Sequence, residues 1–353
     1  MTAGRLADPN CTLGTDPRSD PRMVAAFAPL GLADALPDVP LTVESSFHDR
    51  LAYCAAAEEL VGGVLDVFAL AATAPEGVTT KTVTITGTDG HDVTLFISRP
   101  DHIDGPLPAL VHFHGGAMAI GSAADAAYRH LREALATTGL VVVGVEFRNS
   151  GGRLGVHPYP AGLNDCAAAV RWVHANAPDL GVSHLIVAGE SGGGNLSLTV
   201  AHKAKREGWL NEISGVYAQC PYISNQWLDY PDALPSLREN DGYFISCQQA
   251  ALLGSLYDPD GTHSNDPTCW AGTATDEDLA GLPPHVISLN ELDPLRDEGL
   301  LYYRRLLGAG VSTVGRIIAG TCHGGDVLFP HTMPEVFDST VRDISGFARS
   351  VAP

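Results

Sequence analysis

Eight consecutive residues, Leu140-Val141-Val142-Val143-Gly144-Val145-Glu146-Phe147, carry a single charge. Apolar–polar alternation would mark a strand with one wet face, whereas a nearly unbroken apolar run marks a strand covered on both faces. Such a strand needs a layer of structure above it and another below. The surrounding sequence supplies them in alternation. Leu107 to Phe113 reads as a strand, Ala123 to Thr137 and Ala161 to Ala177 as helices, Leu185 to Ala188 as a strand, Asn195 to Arg206 as a helix and Gly215 to Cys220 as a strand. The rhythm resumes later with a strand over Val286 to Leu289, a helix over Glu298 to Leu307, a strand over Thr313 to Ile318 and a helix over Glu335 to Ala348. Alternation of this kind predicts an α/β fold, a mostly parallel sheet flanked by helices.

Two segments stand outside this rhythm. Upstream, residues 1–45 read as irregular, Phe47 to Leu70 as helical, and Val83 to Ile85 with Val93 to Ile97 as a hairpin around Asp89-Gly90. Downstream, residues 222–280 read as an insertion. Between Asn225 and Pro267 it carries seven acidic residues and one basic residue, Arg238, together with Trp227, Tyr230, Tyr243, Phe244 and Tyr257. It follows a strand carboxyl end, where ligands bind in such sheets, which predicts an apolar and aromatic lid. An excursion packing its own small core is the competing expectation.

Gly189-Glu190-Ser191-Gly192-Gly193 lies where the strand Leu185 to Ala188 runs into a helix. A serine on that sharp turn is a nucleophile candidate, because the turn exposes its hydroxyl and the glycines keep side chains away from it. A serine hydroxyl needs a base, usually a histidine oriented by a carboxylate. Asp293 follows the strand Val286 to Leu289, and His323 follows the last strand, in the order acid then histidine that this architecture uses. Glu291 and Asp297 compete as the acid, and His157, His285 and His331 as the base; Asp297 and Glu298 are better placed to cap the next helix. The strand Leu107 to Phe113 ends in His114-Gly115-Gly116-Ala117. Its backbone N–H groups at Gly115 and Gly116, with that of Gly192, are the expected oxyanion donors.

Other chemistries fit poorly. His112 and His114 form an His-x-His pair, but no acidic or further histidine motif completes a metal set. A dinucleotide register starting at Gly192 fails because Ser197 stands where glycine is required. Neither metal nor cofactor is therefore expected. The formal net charge is −20, with lysine only at 81, 203 and 205, which disfavours nucleic acid and anionic membranes as partners. Seven widely spaced cysteines without a Cys-x-x-Cys pair argue against a disulfide framework. The absence of a signal-like apolar core in Met1 to Asp20, and of any membrane-length apolar run, predicts a cytoplasmic protein. A homodimer through an edge strand or the carboxyl-terminal helix is compatible with the sequence but marked by no specific pattern.

Together these residues resemble the hormone-sensitive-lipase-like carboxylesterases of the α/β-hydrolase superfamily, most closely the brefeldin-A-esterase-like branch. The resemblance rests on Gly189 through Asn195, Glu239 through Ile245, Glu291 through Gly299, His157-Pro158-Tyr159-Pro160 and Gly281-Leu282-Pro283-Pro284, and spans residue 45 to the carboxyl terminus. It implies an eight-stranded sheet, with a catalytic domain over 76–221 and 281–353. Residues 1–75 and 222–280 would build a helical cap. It also implies Ser191, His323 and Asp293 as a triad that needs no cofactor and hydrolyses short- to medium-chain esters, with lactones opened by the same steps. The chemistry would have its pH threshold near the ordinary histidine pKa, about 6 to 7. Acyl transfer or amide hydrolysis by the same serine, or ligand binding without catalysis, are the alternatives. Three departures stand out: Ala117 in place of a third glycine, Glu190 and Gly192 around the serine, and no aromatic residue after His323-Gly324.

Overall fold

The chain is described by a computed structural model over residues 3–69 and 75–352. Its eight strands are β1 (Val78–Thr86), β2 (Asp92–Pro100), β3 (Leu107–Phe113), β4 (Val141–Glu146), β5 (Val182–Glu190), β6 (Gly215–Gln219), β7 (His285–Asn290) and β8 (Thr313–Ile318). They form one sheet in the order β1-β2-β4-β3-β5-β6-β7-β8. β1 and β2 form the expected hairpin, and β2 pairs antiparallel with β4. All later pairings are parallel. The apolar run that predicted a doubly covered strand is β4, whose first five residues are all buried.

Helices Ala161–Ala175 and Gly192–Glu207 take part in the large core on one face, and helices Ala126–Thr137 and Pro334–Ser350 pack the opposite face. Parallel strands joined by such crossovers deliver their carboxyl ends to one edge of the sheet. The turns after β3, β5, β6, β7 and β8 therefore meet there.

Residues 3–45 do more than the irregular reading allowed. Asp20 caps a short helix, Pro21–Phe27, with its carboxylate accepting the Arg22 N–H. A side-chain acceptor at that position satisfies one of the free donors of the first turn, which local sequence supplies without any long hydrophobic period. The predicted Phe47 to Leu70 helix is present as Phe47–Ala69, its last predicted residue lying outside the described ones. Glu58 on that helix accepts the N–H groups of Gly121 and Arg153, at 2.9 and 2.6 Å, and so ties the helix to the loop after β3.

The insertion answers to both expectations. Tyr222 and Trp227 stack at 4.0 Å, with Trp270 edge-on to both and Tyr257 edge-on to Trp270. This is a small core of its own. Glu298 pins it to the sheet by accepting Ile223 N–H at 2.7 Å and Trp227 Nε1–H at 3.1 Å. Helix Cys247–Tyr257 and the preceding Phe244-Ile245-Ser246 instead face the carboxyl edge of the sheet.

Candidate active site

Ser191 has φ 57° and ψ −118°, a combination that costs an L-residue about 1–3 kcal/mol. Neighbouring backbone holds it there. Its N–H donates to Gln219 O at 2.9 Å, and its carbonyl accepts Asn195 N–H at 3.0 Å and Tyr222 N–H at 3.1 Å. The sequence placed the helix start near Asn195, but the helix begins immediately after the serine, at Gly192. Gly192, Gly193 and Gly194 form its first turn because the helix lies hard against β3. A Cβ on Gly193 would sit 1.9 Å from Phe113 O. The helix amino terminus, with its partial positive charge, thus adjoins Ser191.

Asp293 and His323 come together from the ends of β7 and β8, with His323 Nδ1 2.8 Å from Asp293 Oδ2. Both are buried. The other carboxylate oxygen accepts Leu295 N–H at 2.8 Å. Burial works against a charged imidazole, but the adjacent Asp293 carboxylate outweighs it, so the His323 pKa lies well above the ordinary histidine value. The rival residues have other duties. Asp297 accepts Ser236 N–H at 2.7 Å, and Glu291 accepts Gly320 N–H at 2.9 Å. His285 opens β7 with Nδ1 2.6 Å from Pro283 O, and burial pushes its pKa down to about 4.

The loop after β3 departs from its sequence-based reading at one residue. Gly115, expected as an oxyanion donor, gives its N–H to Glu190 Oε1 at 2.9 Å. Glu190 is also 2.9 Å from His112 Nε2. Burial alone would raise the Glu190 pKa, but His112 and the Gly115 N–H together hold it below the ordinary carboxylate range. The N–H groups of Gly116, Ala117 and Gly192 have no acceptor among the described residues. Ala117 N lies only 2.8 Å from where a Cβ on Gly192 would stand, so the loop and the serine turn are in direct apposition. His114 stacks on Phe147 at 4.2 Å, bonds Gly115 O through Nδ1 at 2.7 Å, and is pushed by burial to a pKa of about 4.

Ser191, His323, Gly115, Gly116 and Ala117 line one cavity of about 250 Å³. Its other walls are mostly apolar and come from residues 32–39, helix Phe47–Ala69, Phe244 to Ala250 and helix Ala126–Thr137. Of the aromatic residues singled out in the insertion, Phe244 reaches the cavity. Tyr53, Tyr128, Gln249 and Cys220 also line it and were not found from sequence, since no motif marks them. Cys220 carries ligating-type atoms within 4.8 Å of those of Asp293 and His323, and burial raises its thiol pKa, keeping it protonated. These three side chains are the one grouping with metal-like spacing among the described residues.

Over residues 110–326 the sequence matches the family described as alpha/beta hydrolase fold. The carboxylesterase NlhH of Mycobacterium tuberculosis is 33% identical over 276 residues, covering 75% of this chain and 81% of its own. Among solved structures, brefeldin A esterase, described as a bacterial homologue of human hormone-sensitive lipase, superimposes with a TM-score of 0.97 at 44% identity, covering 100% of this chain and 99% of that one. Esterase Est22 gives 0.85 at 37% identity, with 96% and 99% covered. With its sheet order, its strained serine turn and these relatives, the chain belongs to the α/β-hydrolase family, on its hormone-sensitive-lipase-like side.

Proposed function

We propose that the chain is a serine carboxylesterase in which Ser191 is the nucleophile, His323 the base and Asp293 the orienting acid. The 2.8 Å contact between His323 and Asp293, at the wall of the cavity that Ser191 also lines, carries this reading. Its relatives being carboxylesterases supports the same class. His323 takes the Ser191 proton as the oxygen attacks the ester carbonyl, and Asp293 stabilises the imidazolium that forms. The oxyanion is held by the N–H groups of Gly116, Ala117 and Gly192, which revises the Gly115 assignment. Backbone donors that are already aligned stabilise developing charge without reorganising. His323 then protonates the departing alcohol, and water, activated by the same histidine, releases the acid from the acyl-enzyme.

A mostly apolar cavity of about 250 Å³ suits short- to medium-chain esters and small lactones. Residues 76–221 and 281–353 form the catalytic domain in this reading, and residues 1–75 and 222–280 the cap. No described helix is long and apolar enough to cross a membrane. Seven unpaired cysteines fit a cytoplasmic setting. β8 is an open edge with Val314 and Ile317 exposed, which supports a homodimer testable by sedimentation.

Hydrolysis of a p-nitrophenyl ester series from acetate to decanoate, by wild type and Ser191→Ala, tests the assignment. Turnover is expected to decline with chain length and to vanish in the variant. Retained turnover in purified, folded Ser191→Ala would overturn it.

A further inference from the structure

Residues 16–23 lie far upstream of the sheet in sequence, yet they bond the histidine loop directly and the acid loop through Asn240. Arg18 bonds Asp16, with Nε 3.0 Å from Oδ1 and Nη2 2.7 Å from Oδ2, and also bonds Glu239. Its Nη2 donates to Asn240 Oδ1 at 3.1 Å. Asn240 is wholly buried, and the other end of its amide points the opposite way. Its Nδ2 donates to the carbonyl oxygens of Glu291 and Asp293, at 3.1 Å each. Arg296 closes the ring, donating to Glu291 O at 3.0 Å and to Glu239 Oε2 at 3.1 Å. The same arm reaches the histidine loop. Asp20 N–H donates to Gly320 O at 3.0 Å, and Cys322 N–H to Met23 Sδ at 3.5 Å.

We infer that Arg18 and Asn240 are positioning residues that hold the Asp293 loop in register with His323; the inference rests on the triad reading above. A primary amide has one acceptor end and one donor end. Arg18 is a permanent cation without acceptors, so it fixes the acceptor end of Asn240 toward itself. The donor end is then forced onto the two carbonyls of the acid loop. Without Arg18 the buried acceptor end of Asn240 loses its partner, and the amide no longer holds the two acid-loop carbonyls in a fixed place. Asp293 would move relative to His323, and a misplacement of about 1 Å at a reacting centre costs on the order of 100-fold in rate. Arg18 thus helps to position the acid, although it lies outside every catalytic motif.

The experiment compares Arg18→Met, Asn240→Asp and Arg22→Met in the full chain. Arg22 sits on the same arm but bonds Asp20 and Glu335, away from the acid loop, and serves as the control. In Arg18→Met and Asn240→Asp, kcat on p-nitrophenyl acetate should fall about 10- to 100-fold with KM changed less than about twofold. The low-field proton resonance of the His323–Asp293 hydrogen bond should shift or broaden. Arg22→Met should retain both the wild-type kcat and the resonance. Asn240→Asp preserves side-chain size and decides the matter if Arg18→Met does not fold. A folded Arg18→Met or Asn240→Asp with wild-type kcat and resonance overturns the inference, as does an equal loss in Arg22→Met. Turnover by Ser191→Ala would instead sink the triad reading, whatever the arm variants do.

Discussion

Glu190, the residue before the serine, reaches back to Gly115 in the loop after β3, accepting its N–H at 2.9 Å while its second oxygen lies 2.9 Å from His112 Nε2. The carboxylate therefore joins the ends of β3 and β5 on which the two halves of the site are mounted. Removing it would leave a buried backbone donor and a buried imidazole without their partner. Glu190→Ala should lose about 1–3 kcal/mol of stability in urea unfolding. Its kcat should fall about tenfold as the loop loosens, less than the roughly 100-fold that losing a donor outright costs. An unchanged midpoint and kcat would show that this bridge is dispensable.

The pH dependence of kcat/KM should be displaced from the simple expectation. In the proposed triad His323 must be neutral to act as base, and Asp293 holds its pKa above the usual value against the opposing effect of burial. Activity should therefore rise with pH through a midpoint above about 6.5, the reference histidine value. A midpoint at or below that value would mean that burial, rather than the carboxylate, dominates at His323.

Gly116 has φ 108°, and a Cβ placed there would stand 2.2 Å from Ile120 O. The loop cannot absorb that clash without moving the N–H groups proposed to hold the oxyanion. Gly116→Ala should lower kcat about 100-fold or more, the scale of losing one such donor. Ala117→Gly, which keeps its N–H and suits the positive φ of 56° there, should stay within about threefold of wild type. Steady-state kinetics of the pair checks both.

Ser191 stores backbone strain that glycine would not feel. Ser191→Gly should be inactive yet more stable than wild type by about 1 kcal/mol. Ser191→Ala, which keeps a Cβ and hence the strain, should unfold close to wild type. Equal melting temperatures for the two variants would argue that the turn carries no strain.

The apolar run at β4, the strand–helix alternation, and the turns bearing Ser191, Asp293 and His323 were legible because each depends on local properties. These are the period of hydrophobicity, the φ range that glycine permits, and the fixed order in which a parallel sheet brings its strand ends to one edge. Gly115 was misjudged for a reason of the opposite kind. Its N–H belongs to Glu190, 75 residues away, and no local pattern records which distant acceptor captures a given donor. The same holds for the cavity wall. Phe244 reaches it whereas Trp227 and Tyr257 each pack on Trp270, although all are aromatic residues of one insertion.

Residues 16–23 illustrate the limit most sharply. As sequence they are polar and irregular, and composition gives them no role. Packed, Arg18 lies 222 positions from Asn240 yet bonds it, and through it reaches the acid loop. Hydrophobic period and turn chemistry decide which elements form and in what order. Hydrogen bonds in a buried site are instead decided by which donors and acceptors end up without water, and that is settled only when the layers close over them.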